Sequence, residues 1–271
     1  QLSHVSRPNT LNPTYYSHVI SFAIDDRVVM MARKLLLMSN STTHGRPYLE
    51  YAKETIKSFL GRHKVSEILF VPYALKDHDA YTKVVHEAFE PMGFAVKGIH
   101  TCSCPIEAVN QAKCIFVGGG NTFVLLKTLY EKNLIQCIRK RVLDGDLVYM
   151  GSSAGTNVST PSIHTTNDMP IVYPPSFDAL SLVPFNINPH YIDADPKSTH
   201  MGETREQRIV QLLEQGHGRK VLGLYEGSLL EIEADRATLK GERGAVLFVE
   251  GKTEKERLHD GQDVSHLLKE N

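Results

Sequence analysis

From Leu35 onward the chain alternates short, nearly unbroken apolar runs with longer segments of helical spacing, and this alternation restricts the fold more than any other feature. Leu35 to Met38 is an apolar run stopped by the turn formers Ser39-Asn40-Ser41, which predicts a buried strand. Tyr48 to Arg62 places Leu49, Ala52, Ile56, Phe59 and Leu60 on one helical face, closed by Gly61. The pattern then repeats. Strands are expected over Ile68–Tyr73, Phe94–Ile99, Cys114–Val117 and Leu147–Met150, with helices over Tyr81–Met92, Pro105–Lys113, Phe123–Tyr130 and Leu134–Leu143 between them. Runs without polar alternation are hidden only if helices cover both faces of the sheet, so an α/β fold with a mostly parallel sheet follows. In such sheets ligands bind beyond the carboxyl ends of the strands.

The last third differs. Residues 165–190 are loop-rich with several prolines, Thr204–Gln215 reads as a helix, and short extra strands are expected at Val221–Leu224, Leu229–Ile232 and Val246–Phe248. No repeat or linker interrupts residues 31–271, which we take as a single domain. Residues 1–30 are rich in Ser, Asn, Pro and Tyr, and their one apolar piece, His18 to Ile24, is interrupted by Ser21 and followed by Asp25-Asp26-Arg27. That is too short and polar for a secretory core. We read 1–30 as an appended or translated, flexible extension ending near Met30-Met31, with a weak targeting peptide as the lesser alternative.

Charge and cysteine content exclude several classes. Thirty Lys plus Arg against 31 Asp plus Glu leave a net charge of −1, so no molecule-wide field gathers nucleic acid or an acidic membrane. No apolar run approaches the roughly 20 residues of a membrane span. Four cysteines, at 102, 104, 114 and 137, are too few for a disulfide framework in a chain of 271 residues, which points to a reducing, cytoplasmic setting. Cys102-Ser103-Cys104 has no second ligand pair at zinc spacing, so ordinary thiols are expected and no metal.

Two glycine-rich segments end apolar strands. Gly118-Gly119-Gly120-Asn121-Thr122 lacks the Lys-Ser/Thr of a P-loop and the spaced glycines of a dinucleotide site. It can be a plain βα turn, or a set of bare amides for an oxyanion. Gly151-Ser152-Ser153-Ala154-Gly155 matches the G-x-S-x-G elbow, with Ser153 central and the Ala154 amide as one oxyanion donor. A serine needs a base. Among 13 histidines, His190 stands out in the uncharged stretch Phe185-Asn-Ile-Asn-Pro-His-Tyr191, either as that base or as a satisfied core histidine. Glu226, ending an apolar strand before Gly227, and Asp168 in Thr165-Thr-Asn-Asp-Met-Pro170 are rival carboxylates for orienting it, and spacing does not choose between them.

Taken in order, KLLLMSNST, FVGGGNTF, GSSAGTN, TTNDMPIV, SFDALSLVPFNINPHY, MGETREQRI and GLYEGS resemble the peptidase E family of aspartyl dipeptidases, across nearly all of residues 31–250. The resemblance implies a class I glutamine-amidotransferase-like three-layer sandwich and a serine mechanism without cofactor. It makes Ser153 the nucleophile, His190 the general base, and the amides of Gly120 and Ala154 the oxyanion donors. The family's third member has been read both ways; we favour Glu226, with Asp168 acting through its loop or on the substrate amine. Arg205, in Gly202-Glu-Thr-Arg205, would pair with the side-chain carboxylate of an N-terminal aspartate, its alternative being a surface helix arginine. The family commonly has Trp where this chain has Ser152, a change expected to alter the pocket rim. The implied activity is hydrolysis of Asp-X dipeptides through an acyl-enzyme, in a protein compatible with a homodimer. Cleavage of β-aspartyl-arginine in the manner of a cyanophycinase, or silent binding without catalysis, are the alternatives.

Overall fold

A computed structural model describes residues 32–199 and 201–269. The 1–30 extension lies outside these residues. The strands are β1 (Lys34–Met38), β2 (Glu67–Val71), β3 (Ala95–Gly98), β4 (Cys114–Val117), β5 (Val148–Ser152), β6 (Asn186–Tyr191), β7 (Lys220–Tyr225), β8 (Ser228–Glu233), β9 (Arg236–Gly241), β10 (Ala245–Val249) and β11 (Glu256–Leu258). The α-helices are α1 (Lys53–Arg62), α2 (His78–Phe89), α3 (Pro105–Gln111), α4 (Thr122–Glu131), α5 (Leu134–Leu143), α6 (Ala154–Asn157) and α7 (Arg205–Glu214). The main sheet runs β3-β2-β4-β5-β1-β8-β9. Its first five strands are parallel, and β8 and β9 join antiparallel.

Both faces of the parallel strands are apolar, as their unbroken runs require. Leu35, Leu37, Val71, Ile115, Val117 and Tyr149 enter one core, under α4 and α5. Leu36, Met38, Phe70, Phe116 and Met150 enter the other, under α1 and α2. Each of these side chains is fully buried or nearly so, a contribution of about 1.5–3 kcal/mol apiece.

A second sheet, β11-β10-β7-β6, packs through Ile187, Leu222, Leu224 and Leu247 onto the first core. Its outer face, with Tyr191, Val221, Tyr225 and Phe248, meets Ile209 and Leu213 of α7. The expected parallel sheet, helices and late strands are therefore present. The loop-rich reading of residues 165–190 misses β6, whose two asparagines and proline are poor strand formers. β6 forms because tertiary partners satisfy it: it lies parallel to β7, and Asn186 and Asn188 donate sideways to the Ser162 and Thr165 carbonyls.

Candidate active site

The Gly151–Gly155 segment crosses from β5 into α6, and close packing dictates its glycines. A Cβ on Gly155 would stand 2.0 Å from the Val117 carbonyl oxygen, and one on Gly151 2.6 Å from the Gly155 oxygen. With no room for side chains the chain turns sharply. Ser153 takes φ 53° and ψ −110°, costly for any residue but glycine. Its N–H donates to the Met38 carbonyl (3.1 Å), fixing the turn over the end of β1.

β6 delivers His190. Between Asn188 and Tyr191 the pairing with β7 shifts at a bulge, where Pro189 supplies no N–H and His190 takes φ 55°. Buried Ser39 clamps the bulge, accepting the His190 N–H (2.9 Å) and donating to the Leu224 carbonyl (2.8 Å). The imidazole Nε2 lies 2.9 Å from Ser153 Oγ, and Nδ1 lies 2.6 Å from Glu226 Oε1. An ionised carboxylate only accepts, so Nδ1 carries the proton and Nε2 of the neutral ring is left to accept from the serine hydroxyl. Glu226 sits just beyond β7, where Gly227 N–H donates to Asn40 Oδ1 (2.9 Å) and holds the turn on the β1 loop.

Asp168 stands apart from the imidazole. Its Oδ2 accepts from the Thr122 N–H at the start of α4 (2.7 Å) and from Thr166 Oγ1 (3.1 Å). Of the two rival carboxylates, Glu226 is the one in contact with His190.

In the glycine run, Gly118 N–H donates to the Val71 carbonyl (3.2 Å), and the Gly119 amide faces the Tyr81 hydroxyl. Among the described residues the Gly120 and Ala154 amides have no protein acceptor. Gly120 has φ +132°, and a Cβ there would stand 2.6 Å from the Ala74 oxygen. Gly119 is the closer neighbour of Ser153, for a Cβ on it would meet the serine Cβ at 3.0 Å. This approach was not evident from sequence, because three consecutive glycines look alike there.

Ser153, Ala154, Asp168, His190 and Glu226 share a pocket of about 380 Å³, also lined by Asn157, Thr166, Asn167, Ile192 and Arg205. Arg205 begins α7, whose cap Thr204 forms a capping box with Gln207. Its guanidinium donates to Asn167 Oδ1, and Asn167 in turn donates to the Pro189 carbonyl (2.8 Å). Burial lowers the Arg205 pKa, as does neighbouring Arg208, and Asp168 opposes both. Asn167 was missed as a site residue; its signal was an uncharged polar side chain beside Asp168, which alone is too common to single out.

One expectation fails. Ser152 does not shape the pocket rim: as the last residue of β5 it is fully buried beside its pairing partner Met38, its hydroxyl without a partner among the described residues. The four cysteines are free. Among the described residues no group of three His, Cys, Asp or Glu is placed to hold a metal ion, and no helix is long and apolar enough to cross a membrane.

A serine on a strained strand-to-helix turn, bonded to a histidine that is bonded to a carboxylate, defines the serine hydrolase class, which recurs on unrelated folds. The chain belongs to peptidase family S51, whose model matches residues 35–240. It is 54% identical over 224 residues to a probable alpha-aspartyl dipeptidase of Drosophila melanogaster, covering 82% of this chain and 93% of the relative. It is 53% identical over 234 residues to peptidase E of Streptomyces coelicolor, covering 86% and 94%. A putative peptidase E of Listeria monocytogenes EGD-e superposes with a TM-score of 0.59 over 77% of this chain and 98% of its own, at 23% identity, a likeness of fold.

Proposed function

We propose that this protein hydrolyses dipeptides bearing an N-terminal aspartate, with Ser153 as nucleophile, His190 as general base and Glu226 as its orienting partner. The observation that carries this reading is the continuous contact from Ser153 Oγ through His190 to Glu226, in a pocket that also holds Arg205 and Asp168. Ser153 Oγ attacks the scissile carbonyl carbon while His190 Nε2 takes its proton. The Gly120 and Ala154 amides receive the negative oxygen. The C–N bond then breaks as the imidazolium protonates the leaving amine, and Glu226 supports the transient positive charge. Water, deprotonated by His190, next attacks the ester and releases aspartate and free Ser153.

The names of the relatives support aspartate as the acyl residue, and Arg205 supplies the chemistry. A planar guanidinium pairs in bidentate fashion with the substrate side-chain carboxylate. Asp168 uses Oδ2 to hold the start of α4, and Oδ1 is left for the substrate ammonium. Domain, location and assembly belong to the same reading: residues 31–271 act as one domain in a reducing cytoplasm, where four free thiols persist, and a homodimer is testable by sedimentation equilibrium.

The test is a panel of Asp-X, Glu-X, Asn-X and N-blocked Asp-X dipeptides run on the parent, Ser153→Ala and Arg205→Ala. Asp-X alone should be cleaved, Ser153→Ala should lose at least about 10³-fold in kcat, and Arg205→Ala should lose about 10²-fold in kcat/KM through the lost ion pair. Parent-like turnover by Ser153→Ala refutes the serine mechanism. An unchanged kcat/KM for Arg205→Ala refutes the carboxylate pairing.

A further inference from the structure

Behind the pocket, Lys255 is bonded through all three donors of its ammonium group. It reaches Tyr191 Oη at 3.2 Å, Asp193 Oδ1 at 3.0 Å and Glu206 Oε2 at 2.5 Å, and lies over the Tyr191 ring. The second Asp193 oxygen accepts from Tyr225 Oη (2.6 Å) and from Arg257 (3.0 Å), and Arg257 also donates to Tyr225 Oη (3.2 Å). The Tyr191 and Tyr225 rings meet edge to face, and a Cβ on Gly223 would stand 2.7 Å from the Tyr191 ring, so that glycine makes the space.

Each anchor is the chain neighbour of a pocket residue. Tyr191 follows His190, Tyr225 precedes Glu226, and Glu206 follows Arg205. The two cations, Lys255 and Arg257, lie at the end of the β10–β11 hairpin, beyond the residues 35–240 matched by the family model.

We propose that Lys255 and Arg257 are positioning residues for the reaction, through two ties that meet at Asp193: Lys255–Glu206 sets Arg205 against the histidine strand, and Asp193–Tyr225–Arg257 sets His190 against Glu226. This rests on the serine-dipeptidase reading above. The chemistry requires such bracing, because His190, Glu226 and Arg205 come from β6, the turn after β7 and the start of α7, and a misplacement of about 1 Å can cost about 10²-fold in rate. β6 and β7 are hydrogen-bonded neighbours, whereas α7 reaches β6 through side chains. The first tie therefore governs substrate capture. Burial opposes the Lys255 charge, but its carboxylate partners raise its pKa above the usual lysine value, so the tie persists at neutral pH.

The test is steady-state kinetics on Asp-Leu with thermal melting of each variant. Lys255→Met should raise KM about tenfold with kcat within about twofold, and Lys255→Arg should recover most of the loss. Tyr225→Phe combined with Arg257→Met should instead lower kcat about tenfold with KM little changed. If Lys255→Met does not fold, Glu206→Gln cuts the same tie at a half-exposed carboxylate and should raise KM in the same direction. Unchanged kinetics, or KM and kcat moving together in step with a lowered Tm, would overturn the proposal. Failure of the serine reading is seen separately, as turnover by Ser153→Ala; the KM effect would then still report the placement of Arg205.

Discussion

At the scale of single residues, strain and close approach mark the site more sharply than polarity. Ser153 keeps φ 53° because β1, β4 and α6 leave its backbone no alternative. A non-glycine residue held there costs about 1–3 kcal/mol. Ser153→Ala and Ser153→Gly both remove the hydroxyl, but only glycine relieves the backbone, at a small entropic cost of its own. Ser153→Gly should therefore melt higher than Ser153→Ala, by about 1 kcal/mol, while both are inactive. Equal melting temperatures would mean that the turn is unstrained. The elbow was legible in sequence because its glycines obey local sterics. Its companion Ser152 was misplaced at the rim because the strand continues two residues further than the apolar run, which ends at Met150.

At the scale of elements, β6 shows why part of the site was hidden. Asn186, Asn188 and Pro189 weaken any strand signal, yet the buried asparagines fasten residues 162–167 to the strand. Asn188 donates to the Thr165 carbonyl (2.7 Å) and to Asn167 Oδ1 (2.9 Å), the atom that also accepts from Arg205. Asn188→Leu should cost about 1–3 kcal/mol, since a buried carbonyl loses its donor. It should also raise KM for Asp-X, because Asn167 loses one of its restraints; a variant that melts lower with unchanged KM would separate Asn188 from the site. His190 and its neighbours were recognised from an ordered set of motifs, whereas the bulge that aims the ring depends on Ser39, 151 residues away in sequence.

At the scale of the whole molecule, two sheets carry one site, and the charge network behind it links their stability to pH. Burial alone would raise the Asp193 carboxyl, but hydrogen bonds from Tyr225, Lys255 and Arg257 outweigh it and bring the pKa down to about 2 from 3.8. The folded chain thus holds this proton more weakly than the unfolded one. The stabilisation is complete above pH 3.8 and is lost as pH falls toward about 2. Asp193→Asn should be less stable at neutral pH and should lose less stability across that acid interval than the parent, as followed by urea melts at stepped pH. Parallel curves for the two proteins would show that Asp193 does not couple folding to protons. Arg62, Glu231, Glu233 and Lys240 form a second charged group, in which the largely buried Glu231 joins Arg62 of α1 to Lys240 of β9.

The sequence by itself determined the parallel sheet and its two helical covers, because apolar periodicity and helix spacing act over a few residues. It also determined the elbow, because glycine placement is a local steric requirement. Tertiary structure alone decided which carboxylate meets His190, which glycine lies against Ser153, that Ser152 is buried, and that β6 is a strand. Each depends on groups brought together from distant segments, and their hydrogen bonds leave no periodic trace in the chain. The physical reason is range: hydrophobic burial is roughly proportional to area and can be read from composition along an element, whereas a hydrogen bond exists only at the one distance and angle that the packed fold supplies.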